Sequence, residues 1–175
     1  MAADDVRPVF VYGTLLSEPS LLRTLVHRSE APTATPFVLD GWERAWNVVS
    51  ARTFALADDP SGAIHRRLVL GLQARAGARC QGVALEATAD DLAALAAREA
   101  AYELVEIAPG RTPPVWTYLP LPHRTLESSA VSEPLVVEQA YLDACRAGIR
   151  HHGLPDAAAE LDRSLAGLRI ATAAR

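Results

Sequence analysis

The sequence predicts an α+β fold in which a small, mixed, β-barrel-like sheet is flanked by helices. Up to about residue 120, short runs of β-branched and aromatic residues bounded by glycine and proline outnumber the segments with helical spacing. After residue 132, apolar residues recur at helical spacing instead. Because 175 residues suffice to bury a core, we expect a single domain over residues 1–175 with a flexible tail at residues 1–7.

The first predicted elements are a strand and a helix joined by a glycine-containing loop. Residues 9–11 are consecutively apolar, which is typical of a strand buried on both faces. A capping serine, an acid and a proline at residues 17–19 predict a helix that begins near residue 18 and continues to Val26.

The loop between this strand and this helix is a candidate anion-binding site. Its residues are Tyr12, Gly13, Thr14 and Leu15. Backbone N–H groups at such a position attract anions, and glycine lets a ligand approach the backbone because it has no Cβ. An ordinary strand-to-helix turn fits the same residues, so both interpretations stay open.

Short strands are also predicted in the middle of the chain, over residues 37–39, 45–49 and 53–56. Asp40 and Gly41 are expected to form a turn between the first two. Residues 58–79 have a weaker pattern, which fits either a lid or a long hairpin. Residues 82–85 predict a further apolar strand.

A second informative segment begins with Thr88 and Asp91, whose spacing is that of a capping box and predicts a helix from about residue 89. Leu92 and Leu95 define the apolar face of this helix, and Glu99 falls on the same face. A carboxylate there loses hydration, so its pKa should rise toward the range of a general base.

The role of Glu99 is left open by the pattern alone. The neighbouring Arg98 can point to water. In the second interpretation, Glu99 borders the apolar face or pairs with an arginine for structural reasons, since perturbed carboxylates also occur in structural ion pairs.

Two further strands are predicted, at residues 102–107 and 115–119. A loop leads to residues 132–134, which repeat the helix-start signature and predict a helix that carries Leu135 and ends near Gly153. Pro155 then opens a last helix that extends to Leu168.

Composition excludes several functions. All 17 basic residues are arginines spread along the chain, and the net charge is −4, so nucleic acid and anionic membranes are poor partners. The lysine-free sequence excludes Schiff-base chemistry, a Walker-type phosphate lysine and a lysine base.

The cysteines and histidines predict neither disulfides nor a metal site. Cys80 and Cys145 are isolated and are expected to be small core residues of a reduced, cytoplasmic protein, because no signal peptide or long apolar span accompanies them. His151 and His152 have no third ligand at a suitable spacing.

Several segments occur in an order that is specific to a known family. They are the strand and loop at residues 11–15, the strand at 82–83, Glu99 late in a helix, the strand that begins at Tyr102, and Tyr141, Cys145, Gly148 and residues 153–155. Together they resemble the γ-glutamylcyclotransferase-like family over residues 9–155. Their order is more specific than any one of them.

The resemblance implies a small mixed barrel in which the loop and Glu99 face one cavity. Members of the family split a γ-glutamyl compound into 5-oxoproline and an amine or amino acid, without metal or organic cofactor. By position, Glu99 would take a proton from the α-amino group, the amides of residues 12–15 would hold the γ-glutamyl group, and Tyr141 would contact the substrate. The expected partner is a small γ-glutamyl substrate, bound by a monomer or homodimer.

Departures from the family bear on the substrate. Ala96 stands where many relatives carry aspartate, Ala101 stands where the glutathione-specific branch has glycine, and residues 58–79 have no counterpart. Specificity for glutathione is therefore not expected. Two alternatives remain: a non-catalytic protein that binds a small acidic ligand in the same cavity, and a biosynthetic enzyme that removes a γ-glutamyl group from a larger product.

Overall fold

The computed structural model describes residues 6–107 and 112–174, which form a mixed seven-stranded sheet flanked by α-helices. The strands are β1 (Arg7–Val11), β2 (Ala34–Ala55), β3 (Ile64–Ala87), β4 (Tyr102–Glu106), β5 (Trp116–Pro120), β6 (Leu135–Glu138) and β7 (Ile170–Ala171). The helices are α1 (Glu18–Leu22), α2 (Ala89–Arg98), α3 (Gln139–His151) and α4 (Pro155–Ser164). The strand order is β4-β5-β1-β3-β6-β7, and β2 pairs with β3. The predicted α+β class is confirmed, although the sheet is open, since its end strands β4 and β7 are not paired with each other in the described residues.

β1 lies in the middle of the sheet, antiparallel to β3 and parallel to β5. Val9, Phe10 and Val11 are at most 2% exposed, which confirms the predicted strand buried on both faces. Arg7 pairs with Ala87 and therefore belongs to β1, which corrects the predicted flexible tail at its last residue. Residues 1–5 of that tail lie outside the described part of the chain.

β2 and β3 form one long antiparallel hairpin in place of the three short strands predicted there. The predicted turn at Asp40 and Gly41 is wrong. The pairing register shifts between Asp40 and Trp42, and Gly41 has a φ of 80°, so these residues form an irregularity within a strand that continues beyond them. Of the two alternatives for residues 58–79, the long hairpin is confirmed.

α1 ends at Leu22, earlier than predicted, and Val26 is 82% exposed. The segment that follows α1 turns instead toward Asp91, whose side chain is completely buried. The Asp91 carboxylate accepts two hydrogen bonds of 2.6 Å from Arg28 and lies 2.9 Å from Nε2 of His27.

The start of α2 is as the sequence predicts. The Thr88 hydroxyl accepts a hydrogen bond from the Asp91 N–H, and the Asp91 carboxylate accepts one of 2.9 Å from the Thr88 N–H. The capping box is confirmed, and the same carboxylate joins α2 to the segment after α1. Asp91 therefore fixes two elements that border the site described below.

The helix predicted from residues 132–134 is a strand at its beginning, which corrects the placement of Leu135 in a helix. β6 runs parallel to β3, and its residues Val136 and Val137 are at most 1% exposed. Burial of these β-branched side chains in the sheet outweighs the local helix signal. α3 begins only after β6, and it ends before Gly153, which has a φ of 62°.

The last helix is shorter than predicted. α4 ends at Ser164, so Leu168 lies beyond it, and the two-residue strand β7 pairs with β6. A strand of that length has too little sequence pattern to be predicted. Among the described residues, no helix combines the length and apolar character needed to cross a membrane.

α3 packs closely against the turn that follows β1. A Cβ at Gly148 would lie 2.4 to 2.6 Å from atoms of Leu16 and Ser17, so the approach requires glycine. On the same helix, the ring of Tyr141 contacts Trp46 edge to face, with centroids 5.9 Å apart. These contacts fix the position of Tyr141 beside the loop at the end of β1.

Candidate active site

Two adjacent recesses lie where the loop after β1 meets the ends of α2 and α3. We call the smaller one, of about 30 Å³, the inner recess and the larger one, of about 410 Å³, the outer recess. Both are lined by Thr14, Glu99, Tyr102 and Tyr141. The site residues predicted from the sequence all line the inner recess: Tyr12, Gly13, Thr14, Leu15, Glu99 and Tyr141. The structure therefore brings them together, while their roles stay predictions.

The loop after β1 supplies backbone donors to the inner recess. It contains a 3₁₀ turn at Thr14–Leu16, and the first N–H groups of such a turn have no partner within it. None of the described residues accepts a hydrogen bond from the amides of residues 13–15. The Tyr12 carbonyl, in contrast, accepts a bond of 2.8 Å from Nε of the buried Arg44. The loop is thus held through the Tyr12 carbonyl, and the amides of residues 13–15 are without an acceptor in the described part of the chain.

Glu99 caps the C-terminus of α2, where its N–H donates to the Leu95 carbonyl at 2.8 Å. Its side chain is 15% exposed. Burial raises the pKa of the Glu99 carboxyl above its ordinary value, and the nearby Arg98 opposes this rise. The carboxyl thus lies in the recess as the pattern predicts, and its raised pKa is suited to accepting a proton near neutral pH.

Arg98 does not point to water, which corrects the prediction for this residue. Its Nη1 donates to the Ser20 carbonyl and to Oγ1 of Thr24, both at 2.8 Å. Its Nη2 donates to Oγ1 of Thr14 at 2.8 Å, and its Nε lies 3.1 Å from Oε1 of Glu99. The physical reason is that carbonyl and hydroxyl acceptors lie close to the end of α2, so the guanidinium donates its hydrogen bonds to them and not to water. The ion pair of the second interpretation is therefore present, while the role of Glu99 as a base stays a prediction.

Tyr102, Tyr118 and Tyr141 line the inner recess together with Glu99. Tyr102 donates to the Leu70 carbonyl at 2.7 Å, and the Leu70 N–H donates to the Tyr141 hydroxyl at 3.2 Å. The Tyr118 hydroxyl is buried and has no hydrogen-bond partner among the described residues. Burial raises the pKa of Tyr118 to about 12, so it stays a neutral donor.

Sequence reasoning missed Arg98, Tyr102 and Tyr118 as site residues. Tyr102 and Tyr118 have the signal of strand residues, and nothing in the local pattern separates a core tyrosine from one that lines a recess. For Arg98 the sequence did contain an indication of a place in the site, because this residue directly precedes the candidate base.

The remaining candidates do not form sites. Within the described residues, no group of three or more His, Cys, Asp or Glu side chains is arranged to hold a metal ion. Cys80 and Cys145 are free and buried, and burial raises the pKa of each thiol to about 12. His152 lies with Nε2 3.2 Å from the Leu16 carbonyl and packs against the ring of His151.

Comparison with known proteins gives matches in structure alone. No protein-family model matches the chain, and a search of curated proteins finds no match. YkqA from Bacillus subtilis is similar in fold, with a TM-score of 0.66 and 17% identity over 95% of this chain. This chain spans 56% of the length of YkqA.

Two further solved structures are γ-glutamyl cyclotransferases by name. One has a TM-score of 0.62 at 14% identity, and the match covers 93% of this chain and 88% of the other. A yeast γ-glutamyl cyclotransferase specific to glutathione has a TM-score of 0.50 at 13% identity, with coverage of 91% and 96%. Identities this low show the fold alone. The chain has the γ-glutamyl cyclotransferase-like fold, which confirms at the level of the fold the resemblance found in the sequence.

Proposed function

We propose that this protein is a γ-glutamyl cyclotransferase, which releases 5-oxoproline and an amine or amino acid from a γ-glutamyl compound. The observation that carries the proposal is the shielded carboxylate of Glu99 in the same recess as the free amides of residues 13–15. The likeness in fold to proteins named γ-glutamyl cyclotransferase supports it.

The first step of the proposed reaction is loss of a proton from the α-ammonium group of the substrate. An α-amino group is largely protonated at neutral pH and is then not a nucleophile. Glu99 accepts the proton, because burial raises the pKa of its carboxyl and makes it a stronger base than an exposed glutamate.

The second step is ring closure. The freed amine attacks the γ-carbonyl carbon of the same molecule, a new carbon–nitrogen bond forms, and the bond from that carbon to the leaving amine breaks. The proton held by Glu99 passes to the leaving nitrogen. The ring nitrogen then loses its second proton to Glu99, which hands it to the released amine, so the amine leaves as an ammonium group and Glu99 is ionised again. Because nucleophile and carbonyl belong to one molecule, holding the substrate in a folded pose supplies much of the rate enhancement, and no nucleophilic side chain is required.

Charge on the γ-carbonyl oxygen develops as the ring closes. The amides of residues 13–15 and the unpartnered Tyr118 hydroxyl are donors fixed at the inner recess, and donors of this kind stabilise an oxyanion without reorganising. Arg98 joins Glu99 to Thr14 and so holds the base at a set distance from the loop.

A larger γ-glutamylated product is the second candidate substrate. The outer recess, of about 410 Å³, is within the size range of small-molecule sites, and the β2–β3 hairpin contributes Arg52, Arg67 and Val69 to its lining. The hairpin would then act as a specificity wall for the leaving group.

A panel of γ-glutamyl compounds tests the proposed function. The purified protein is incubated with γ-glutamyl amino acids, γ-glutamyl amines, glutathione and a larger γ-glutamylated amine, and 5-oxoproline is followed by mass spectrometry. We expect product from at least one compound and little from glutathione. If every compound stays uncleaved and one of them binds tightly, the result would favour the non-catalytic alternative.

The rate is expected to depend on pH through Glu99. The carboxyl must be ionised to accept a proton, and its raised pKa means that protonation begins at a higher pH than for an ordinary glutamate. Activity should therefore fall as the pH is lowered, starting above the range in which exposed glutamates titrate. The check is kcat/KM against pH, and a profile that stays flat down to the ordinary glutamate pKa contradicts the assignment.

Replacement of Gly13 is expected to weaken substrate binding. A Cβ at Gly13 would lie 3.5 Å from the Tyr141 hydroxyl, an ordinary contact, so Gly13→Ala fits while the methyl groups of Gly13→Val extend into the inner recess. We expect KM to rise slightly for alanine and at least about 10-fold for valine, with little change in melting temperature. A normal KM in the folded valine variant would show that the loop does not hold the substrate.

A further inference from the structure

The outer recess concentrates positive charge in a protein with a net charge of −4. Four arginines and two glutamates line it: Arg23, Arg52, Arg67, Arg98, Glu99 and Glu138. A cleft lined mainly by one sign of charge raises the local concentration of ligands of the opposite sign.

The two glutamates are already paired. Arg98 lies 3.1 Å from Glu99, and Nε of Arg67 lies 3.0 Å from Glu138. Arg23 and Arg52 are exposed side chains that form no ion pair with any described residue. The recess thus has two guanidinium groups without a carboxylate partner in the described part of the chain.

Arg52 of β2 and Arg67 of β3 line the same recess from the two strands of the hairpin. The Arg67 side chain is 13% exposed. Burial lowers the pKa of the Arg67 guanidinium, Glu138 opposes this, and the like charge of Arg52 lowers it further. Two cations that line one recess repel each other, and an anion bound near both relieves that repulsion.

We propose that the outer recess binds the leaving-group side of the substrate and that this side carries an extra anionic group, a carboxylate or a phosphate. The proposal rests on the proposed function, since it seats the γ-glutamyl group in the inner recess beside Glu99. Guanidinium groups suit both anions because their planar fork donates two parallel hydrogen bonds. The preferred substrates are therefore γ-glutamyl derivatives of acidic amines.

Matched pairs of substrates test the inference. γ-Glutamyl-glutamate is compared with γ-glutamyl-glutamine, and γ-glutamyl-O-phosphoserine with γ-glutamyl-serine, so that each pair differs in one anionic group. We expect kcat/KM to be about 10-fold or more higher for the anionic member of at least one pair. Which pair shows the larger ratio distinguishes carboxylate from phosphate. The ratio should shrink as ionic strength rises, because salt screens charges at this partly exposed site.

Arginine variants test whether the preference for anionic substrates arises in the outer recess. Arg23→Gln and Arg52→Gln remove exposed charges from the recess and should lower the ratio toward one, through a lower kcat/KM for the anionic member of each pair. Arg75→Gln is the matched control, because Arg75 is 67% exposed on the same hairpin, pairs with Glu43 and does not line the recess. The control should keep the wild-type ratio.

The outcomes separate this inference from the proposed function. Product formation with equal kcat/KM in both pairs overturns the inference and leaves the function intact. If no compound gives product, calorimetry with inorganic pyrophosphate tests whether the outer recess binds anions. Binding that is weakened about 10-fold in the Arg23→Gln/Arg52→Gln protein but not in Arg75→Gln supports an anion site, and no binding to wild type overturns it.

Discussion

Replacement of Glu99 by glutamine is expected to lower the rate of 5-oxoproline formation by about 100-fold or more, the usual loss when a general base is removed. Glutamine keeps the size of the side chain and can still accept a hydrogen bond from Arg98, but it cannot take up a proton. Arg98 also bonds Thr14 and Ser20, so the loop should stay in place. The loss should therefore fall on kcat with little change in KM, as measured by product formation over a range of substrate concentrations.

Glu103→Gln is the matched control. Glu103 is an exposed residue of β4, four positions beyond Glu99, and it lines neither recess. The control should have the wild-type rate. A Glu99→Gln protein with normal kcat would refute the role of Glu99 as the base.

Asp91→Asn is expected to lower the free energy of unfolding by about 3 kcal/mol, because it leaves the guanidinium of Arg28 without its buried partner. The Asp91 side chain has no exposed surface, and it joins α2 to the segment after α1 through Arg28, His27 and Thr88. Chemical denaturation by urea gives the change in free energy. Asp90→Asn, an exposed acid in the same first turn, should cost less than about 1 kcal/mol, the size of a helix-dipole effect.

The pH dependence of stability gives a second readout for Asp91. Burial alone would raise the pKa of its carboxyl, but hydrogen bonds from Arg28, Thr88 and His27 outweigh burial and hold the pKa well below its usual range. A carboxyl with a lowered pKa in the folded state contributes stability above its unfolded pKa, and this is lost as the pH falls toward the folded value. The stability difference between wild type and Asp91→Asn should therefore be constant near neutral pH and shrink in acid. A difference that persists unchanged in acid contradicts the role of this carboxylate.

Local patterns predicted the parts of the site that depend on neighbours in sequence. The buried strand at residues 9–11, the glycine loop and the capping box at Thr88 are set by contacts within a few residues, and the structure has all three. The inward position of Glu99 follows from helical spacing with Leu95.

The predictions that failed concern distant partners. Val136 lies in a strand because β3 offers it a buried position, and its partner Arg67 is far from it in sequence. The irregularity at Gly41 looks like a turn locally, yet pairing with β3 continues on both sides of it. Arg98 points into the site because Ser20 and Thr14 accept its hydrogen bonds, and these residues are far from it in sequence.

The pairing of Glu99 with Arg98 limits how strong a base the carboxylate can become. Burial raises the pKa of the Glu99 carboxyl, and the Arg98 guanidinium opposes this rise by stabilising the ionised form. The carboxyl can therefore be buried and still carry its charge. A base that stayed protonated at neutral pH would not start the reaction. In the proposed reaction, Arg98 would thus both position the base and stabilise its ionised form.

The most direct test of the proposed reaction is turnover of the best substrate of the panel in H₂¹⁸O, with both products analysed by mass spectrometry. Intramolecular attack by the α-amino group predicts 5-oxoproline without ¹⁸O, released in equal amount with the amine, because no water oxygen enters the product. Hydrolysis would instead give glutamate that carries one ¹⁸O. Unlabelled 5-oxoproline from wild type, reduced in the Glu99→Gln protein, is the result we predict, and labelled glutamate as the main product would contradict the account.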